Sequence, residues 1–415
     1  MSTRFSIEKL GAQGDGVAQT ETGQVFIPFT LSGEVVTAAR ERNHDRATLM
    51  AVLEKSPLRI EPACRHFGDC GGCAMQHLEE AAYRDWKRDR LVQVLKGARI
   101  ECEVDELVAC APHSRRRVTL SARRTDAGLL LGFNRHMSTQ IVDLDECPIA
   151  LPQIAGALDM LRELGSLICA TSKAFHMTVT VTASGLDVAA SGSGRMGERQ
   201  RQIAANFAVR HGVARLSVDG EIIIEPQKPV VMFEAAAVPI PPGSFLQATQ
   251  GAEQIMADLV GQHLARAKKV TDLFAGCGSF ALRLAKKSEV HAVEGEAPAL
   301  AALDRGFRYA SGLKRVTTEK RDLFRRPLTF KELNAFDGLV FDPPRAGAQD
   351  QCRQIARSDV PLVAAVSCNP VTFARDLAIL LAGGYRLIRV VPIDQFLWSP
   401  HVEAVALLEK PRKRR

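Results

Sequence analysis

The chain has 415 residues, of which 46% are hydrophobic and 24% charged, with a formal net charge of +7. That length calls for two or three domains. The composition is that of a soluble globular protein, and no apolar run reaches the roughly 18 residues that span a bilayer. The mild basic excess permits a polyanionic partner but does not separate one from a small substrate.

The opening Met1-Ser2-Thr3-Arg4-Phe5 lacks the apolar core of an export signal, so a cytoplasmic protein with no membrane partner is expected. Its ten cysteines should then be reduced, serving metal, catalysis or packing rather than disulfides. Up to about residue 55, Gly11, Gly14 and Gly16 mark a turn, and strands are expected over 25–29 and 34–38. This is the size of a small β-barrel, a form that often binds oligonucleotides.

Cys64-x5-Cys70-x2-Cys73 follows, and Cys147-Pro148 lies far downstream. Four thiolates suit zinc or an iron–sulfur cluster, the spacing does not decide, and His66 and His77 keep zinc open. A charged amphipathic helix is expected over 76–96, with Leu78, Tyr83, Trp86, Leu91 and Leu95 inward. Residues 103 to about 235 read as α+β, with strands near 118–122, 129–132, 177–182 and 216–219 and helices over 153–164 and 198–209. Arg115-Arg116-Arg117, Arg123-Arg124 and Arg135 are candidates for a phosphate-binding face, since alternate strand positions face one way. Pro239 to Gly243 reads as the end of a linker.

From about 244 the pattern becomes α/β alternation: helix 248–266, strand 269–273, helix 280–286, strand 289–293, helix 298–310, then strands ending at Asp342 and Ser367. Such alternation implies a parallel sheet covered on both faces, with ligands at the carboxyl ends of its strands. Asp272-Leu273-Phe274-Ala275-Gly276-Cys277-Gly278-Ser279 is a strand, glycine turn and helix start, and Glu294 ends the next strand. A backbone without Cβ atoms lets a ligand approach a helix N-terminus, and a carboxylate one strand on can hold ribose hydroxyls. A nicotinamide cofactor would fit as well. Asp272 before the glycines and Asp342-Pro343-Pro344-Arg345 after a later strand favour S-adenosylmethionine, whose amino-acid end is cationic.

Ser367-Cys368-Asn369-Pro370 puts Cys368 at the end of an apolar strand facing the same crevice. Carbon 5 of uracil is too weak a nucleophile to attack a sulfonium methyl unaided. A thiolate adding to carbon 6 makes it an enolate-like nucleophile, and a base must afterwards take the carbon-5 proton. Glu403, opening the final strand in His401-Val402-Glu403, supplies a carboxylate.

Together, the glycine loop, Asp342-Pro343-Pro344-Arg345-x-Gly347, Ser367-Cys368-Asn369-Pro370 and His401-Val402-Glu403 resemble the RNA 5-methyluridine methyltransferase family over nearly the whole chain. The resemblance implies that Cys368 is the nucleophile and Glu403 the base. It implies that Gln247, Phe274, Ser279, Glu294, Asp322 and Asp342 line the S-adenosylmethionine site, with Ser279 standing where many members have asparagine. The cysteine pattern resembles the family's ribosomal-RNA branch, implying a [4Fe–4S] cluster on Cys64, Cys70, Cys73 and Cys147 with no redox step in methyl transfer.

The implied fold is an α/β chain whose C-terminal Rossmann-like methyltransferase domain (239–415) follows a TRAM/OB-like RNA-binding β-barrel (1–58), the iron–sulfur segment and helix (59–102) and a central α+β RNA-binding domain (103–238). The implied partner is RNA, large-subunit (23S) ribosomal RNA over transfer RNA, with no DNA expected; the sequence leaves the oligomeric state open, with a monomer as the default. The alternatives are a transfer-RNA uridine-5-methyltransferase, a noncatalytic RNA-binding ribosome-assembly factor, for which Cys368 and Glu403 have no use, and a nicotinamide oxidoreductase, which gives no reason for Ser367-Cys368-Asn369-Pro370. The basic tail from Lys410 to Arg415 is expected to be a nonspecific extension.

Overall fold

The computed structural model describes residues 2–40 and 44–411, so residues 412–415 of the basic tail lie outside the described residues. The first strands make two small antiparallel sheets. One joins Ser2–Ser6, Val35–Arg40 and Ala47–Glu54, and the other Lys9–Leu10, Gly16–Thr20 and Gly23–Ile27. Alternate residues from both, among them Phe5, Ala18, Val25, Ile27, Val36 and Ala38, close on one apolar core, which gives the barrel-like form expected.

The helix Glu80–Gly97 starts where the Glu79 carboxylate accepts the Ala81 and Ala82 N–H groups. Tyr83, Lys87, Leu91 and Leu95, spaced four apart, form its buried face. The expected stripe had Trp86 in place of Lys87. Trp86 is partly buried and carries the Arg90 guanidinium 5.3 Å from its ring centre.

In the central region the strand order is Glu221–Ile224, Val213–Val218, Gly185–Ser191, Phe175–Thr182, Arg117–Thr125, Gly128–Asn134 and Ile141–Asp143. Leu158–Ile168 and Glu198–Arg210 pack into this region's core through Leu161, Leu164 and Phe207. The helix expected over 153–164 is broken at Gly156 into Pro152–Ala155 and Leu158–Ile168.

The C-terminal sheet runs Val316–Lys320, Glu289–Glu294, Lys269–Leu273, Gly338–Phe341, Leu362–Ser367, Glu403–Glu409, Arg386–Ile393. Period-two alternation divides it between two cores: Val340, Ala364, Val366 and Val405 on one face, Leu339, Phe341, Val363, Ala365 and Ala404 on the other. The sheet is not wholly parallel. Glu403–Glu409 is inserted antiparallel between Leu362–Ser367 and Arg386–Ile393. An antiparallel strand begins at the edge where its parallel neighbours end. The pairing of Ser367 with Ala404 therefore puts Cys368, one residue on, across from Glu403, one residue back.

Candidate active site

The carboxyl edge of this sheet collects the site residues in register. Leu273 lies beside Phe341 and Phe341 beside Ala365, so Phe274, Asp342 and the Ser367-Cys368 corner emerge side by side. On the other flank Ile393 pairs with Glu403, and Asp394-Gln395 leave the sheet there.

The glycine turn follows Lys269–Leu273. Phe274 has φ 63°, a left-handed backbone uncommon for a non-glycine residue, and its ring packs 5.4 Å from that of Phe324. Gly278, at φ 97°, has no room for a side chain, because a Cβ there would sit 2.8 Å from Leu303. Glu294 fastens the turn through Oε2, which accepts the Gly276 N–H at 2.8 Å, while Oε1 accepts the Glu296 N–H. Asp322 is exposed two residues beyond Val316–Lys320, where its Oδ1 accepts the Phe324 and Arg325 amides. Ser279 is half-buried at the start of the following short helix. Beneath the turn Asp272 is fully buried, and neither carboxyl oxygen has a hydrogen-bond partner among the described residues. Burial, then the charges of Asp342 and Glu294, hold its carboxyl well above the usual range.

Next to this turn two carboxyl groups face one thiol. Gln247 donates from Nε2 to Asp342 Oδ2 at 2.7 Å. Gln395 donates from Nε2 to Glu403 Oε2 at 2.5 Å and to Gln247 Oε1 at 2.9 Å. Glu403 is 2% exposed, and its Oε1 has no partner among the described residues. Burial pushes Asp342 up to about 7, against the pull of Gln247. Burial and then the Asp342 charge hold Glu403 well above the ordinary carboxylate range, opposed by Gln395. With both carboxyl groups raised, the pair holds a proton to higher pH than an isolated carboxyl group would. The half-buried Cys368 thiol is pushed up to about 12, by burial first and then by Glu403 and Asp342, with Arg345 acting the other way. Arg345 also reaches His401 Nδ1 at 3.3 Å.

Gln395 was not singled out from sequence, where a lone glutamine after an acidic residue carries no chemical signal. The same holds for the anchor beside it. Lys87 is completely buried and contacts Asp394, the Tyr83 hydroxyl and the Phe396 carbonyl, so the helix Glu80–Gly97 grips the loop that carries Gln395.

The arginine run departs from expectation. Arg116 is buried, donating to Glu253 and to the Gln247 carbonyl, and Arg117 donates to the Gly243 and Ser244 carbonyls. Both fasten the segment that presents Gln247 through its Gly243, Ser244 and Gln247 carbonyls. Arg124 donates to the Ser166 carbonyl, and Arg123 is left exposed.

The cysteine segment is pinned to the central region. Arg65 N–H donates to Glu146, Asp145 N–H to His66 Nε2, and Gly71 N–H to the Asn134 carbonyl, which carries Cys147 toward Cys64, Cys70 and Cys73. Each of the latter three thiols is raised by burial and then by neighbours that include Cys147, with Cys70 reaching about 11. Among the described residues no three His, Cys, Asp or Glu groups are arranged to hold a single metal ion.

Comparison with known proteins bears on this site. Residues 308–411 match the family described as tRNA (uracil-5-)-methyltransferase. The chain is 72% identical to an uncharacterized RNA methyltransferase of Mesorhizobium japonicum, over 100% of both chains. It is 34% identical to the 23S rRNA (uracil(1939)-C(5))-methyltransferase RlmD of Halomonas elongata, covering 98% of this chain and 89% of that one. Among solved structures, the Pyrococcus abyssi tRNA (uracil-54, C5)-methyltransferase bound to S-adenosyl-L-homocysteine superposes with a TM-score of 0.77 at 25% identity, covering 98% of this chain and 99% of the other.

Proposed function

The chain belongs to the RNA (uracil-5-)-methyltransferase family, and from that premise we propose that Cys368 and Glu403 carry its chemistry on a uridine of large-subunit ribosomal RNA. The observation that carries this reading is the register of the antiparallel strand, which sets Glu403 opposite Cys368 at the carboxyl edge of the sheet.

The donor site fits S-adenosylmethionine. A turn without Cβ at Gly276 and Gly278, the Glu294 carboxylate one strand on, and a buried unpartnered Asp272 together suit a ligand with ribose hydroxyls and a cationic amino-acid end. Gln247, Phe274, Ser279, Glu294, Asp322 and Asp342 would hold it. When bound, it supplies an electrophilic methyl group.

The remaining steps belong to the protein. The Cys368 thiol gives its proton to solvent, and the thiolate bonds to carbon 6 of the uracil as the 5,6 double bond breaks and its electron pair moves onto carbon 5. Once carbon 5 carries the methyl group, the unpartnered Oε1 of Glu403 takes the carbon-5 proton. The C–H electron pair re-forms the 5,6 double bond and the sulfur leaves as thiolate. Burial of the carboxyl pair keeps water from competing for that proton.

Ribosomal RNA is favoured by the 34% identity to RlmD along almost the whole chain. Transfer RNA is the second reading, supported by the Pyrococcus likeness. The test is incubation with methyl-labelled S-adenosylmethionine and either unmodified 23S ribosomal RNA or unmodified transfer RNA, followed by nucleoside digestion. Labelled 5-methyluridine from the ribosomal RNA alone is expected. Label in transfer RNA alone would move the substrate, and label on no uridine carbon 5 would overturn the reading.

Cys64, Cys70, Cys73 and Cys147 are proposed to bind a [4Fe–4S] cluster with a structural or RNA-positioning role. Three thiols raised by burial and by their cysteine neighbours, Cys64, Cys70 and Cys73, are what a soft metal group would relieve, since it takes them as thiolates.

A further inference from the structure

A single side chain joins the two carboxyl groups to the backbone. The Gln395 amide spends both of its donors and one acceptor site here: Oε1 accepts the Ala248 N–H at 3.0 Å, and Nε2 donates to Gln247 Oε1 at 2.9 Å and to Glu403 Oε2 at 2.5 Å. Its direction is not free. Ala248 offers a backbone N–H, which can only donate, so the Gln395 oxygen must face it and the NH2 must face the other two. Reversing the amide would set NH2 against N–H and oxygen against two oxygens.

The constraint then passes on. Gln247 accepts through Oε1 and therefore turns its NH2 to Asp342 Oδ2 at 2.7 Å. One backbone N–H thus dictates which oxygen of each carboxyl group is engaged and leaves Glu403 Oε1 without a partner. Gln395 is 2% exposed and the loop beneath it is gripped by Lys87 and Tyr83 through Asp394, so solvent cannot substitute for its contacts.

We propose that Gln395 is a positioning residue for the methylation reaction: it aims Oε1 of Glu403 at the substrate proton. The proposal rests on Glu403 being the base. It acts at one step, removal of the carbon-5 proton and expulsion of the Cys368 sulfur, and leaves addition and methyl transfer intact.

The test compares the wild-type chain with Gln395→Met, which keeps the volume and loses the amide, and with Gln395→Glu, which keeps the shape and reverses the donor. Each is assayed on the RNA that the wild type methylates. For Gln395→Met, kcat should fall by about tenfold or more, while the KM for S-adenosylmethionine stays within about twofold. A denaturation-resistant protein–RNA adduct should build up during turnover. The acidic limb of the kcat–pH profile should move to higher pH in both variants, and further in Gln395→Glu, where a second carboxyl group faces Glu403.

Wild-type turnover rates with an unmoved pH profile would overturn the proposal. So would a kcat loss without adduct in both variants, because a merely structural role lowers every step alike. If the wild type itself makes neither 5-methyluridine nor adduct, the underlying reading of the site fails instead.

Discussion

Burial penalises the charged form of both Asp342 and Glu403, and the Asp342 charge raises Glu403 further. The folded state holds the Asp342 proton more tightly than the unfolded chain does, with a pKa raised from 3.8 to about 7. Its contribution to stability is therefore complete below about pH 4 and is lost as pH rises through about 7. Asp342→Asn removes that loss and retains an oxygen for the Gln247 NH2. Thermal unfolding should show little difference from wild type at pH 4 and a higher Tm for the variant at pH 8, with a gain on the order of a few kcal/mol. An unchanged Tm difference across that range would contradict the raised Asp342 pKa.

Burial, and then these two carboxyl groups, suppress the Cys368 thiolate by pushing its pKa up to about 12. Alkylation of Cys368 by iodoacetamide at pH 8 in the ligand-free protein should be slower than that of a free thiol, and Asp342→Asn should accelerate it. Equal rates would show that the carboxyl groups do not control the nucleophile.

At the scale of elements, the helix Glu80–Gly97 does more than cover a surface. Its Lys87 ammonium is enclosed with Asp394 and held down to about 8 by burial, with Asp394 opposing. Removing one member of such a pair leaves the other charged and unsolvated. Lys87→Met should therefore cost about 3–5 kcal/mol of unfolding free energy in urea titration. It should also depress kcat, since Asp394 precedes Gln395.

Elements with strong periodicity were legible from sequence. The helix Glu198–Arg210, the strand Leu362–Ser367 and the glycine turn lie within a residue or two of expectation, because each carries its own pattern and boundary signals. Lys87 was not legible: a lysine on an amphipathic helix reads as solvent-facing unless its partner, some 300 residues away in sequence, is known. The antiparallel insertion of Glu403–Glu409 was likewise hidden. Its apolar run fits a parallel or an antiparallel neighbour equally, and only the hairpin-like return after Arg386–Ile393 fixes its direction.

Across the whole molecule, regions remote in sequence meet at one edge. Arg116 from the central sheet binds Glu253 and the Gln247 carbonyl, and Cys147 joins three cysteines that precede it by more than seventy residues. Cys368, Glu403 and Asp342 were legible as candidates because short motifs at strand ends announced them, and Gln247 through the family resemblance; the structure gathers the four. Arg116 and Arg117 misled because a charged run looks the same whether it faces phosphates or buried carbonyls.

The cysteine set has a direct check. Anaerobically prepared protein should be brown and contain about four irons per chain. Cys147→Ser should lose the colour, and stoichiometric zinc in a colourless preparation would contradict the assignment.

The division of labour between Cys368 and Glu403 is tested most directly by trapping. Glu403→Gln is mixed with substrate RNA and S-adenosylmethionine, denatured, digested with protease and nuclease, and read by mass spectrometry. The peptide containing Cys368 should carry one uridine nucleotide with an added methyl group, because addition and transfer proceed while proton removal stops. Undiminished release of 5-methyluridine by this variant, or an adduct on any other cysteine, would contradict the account.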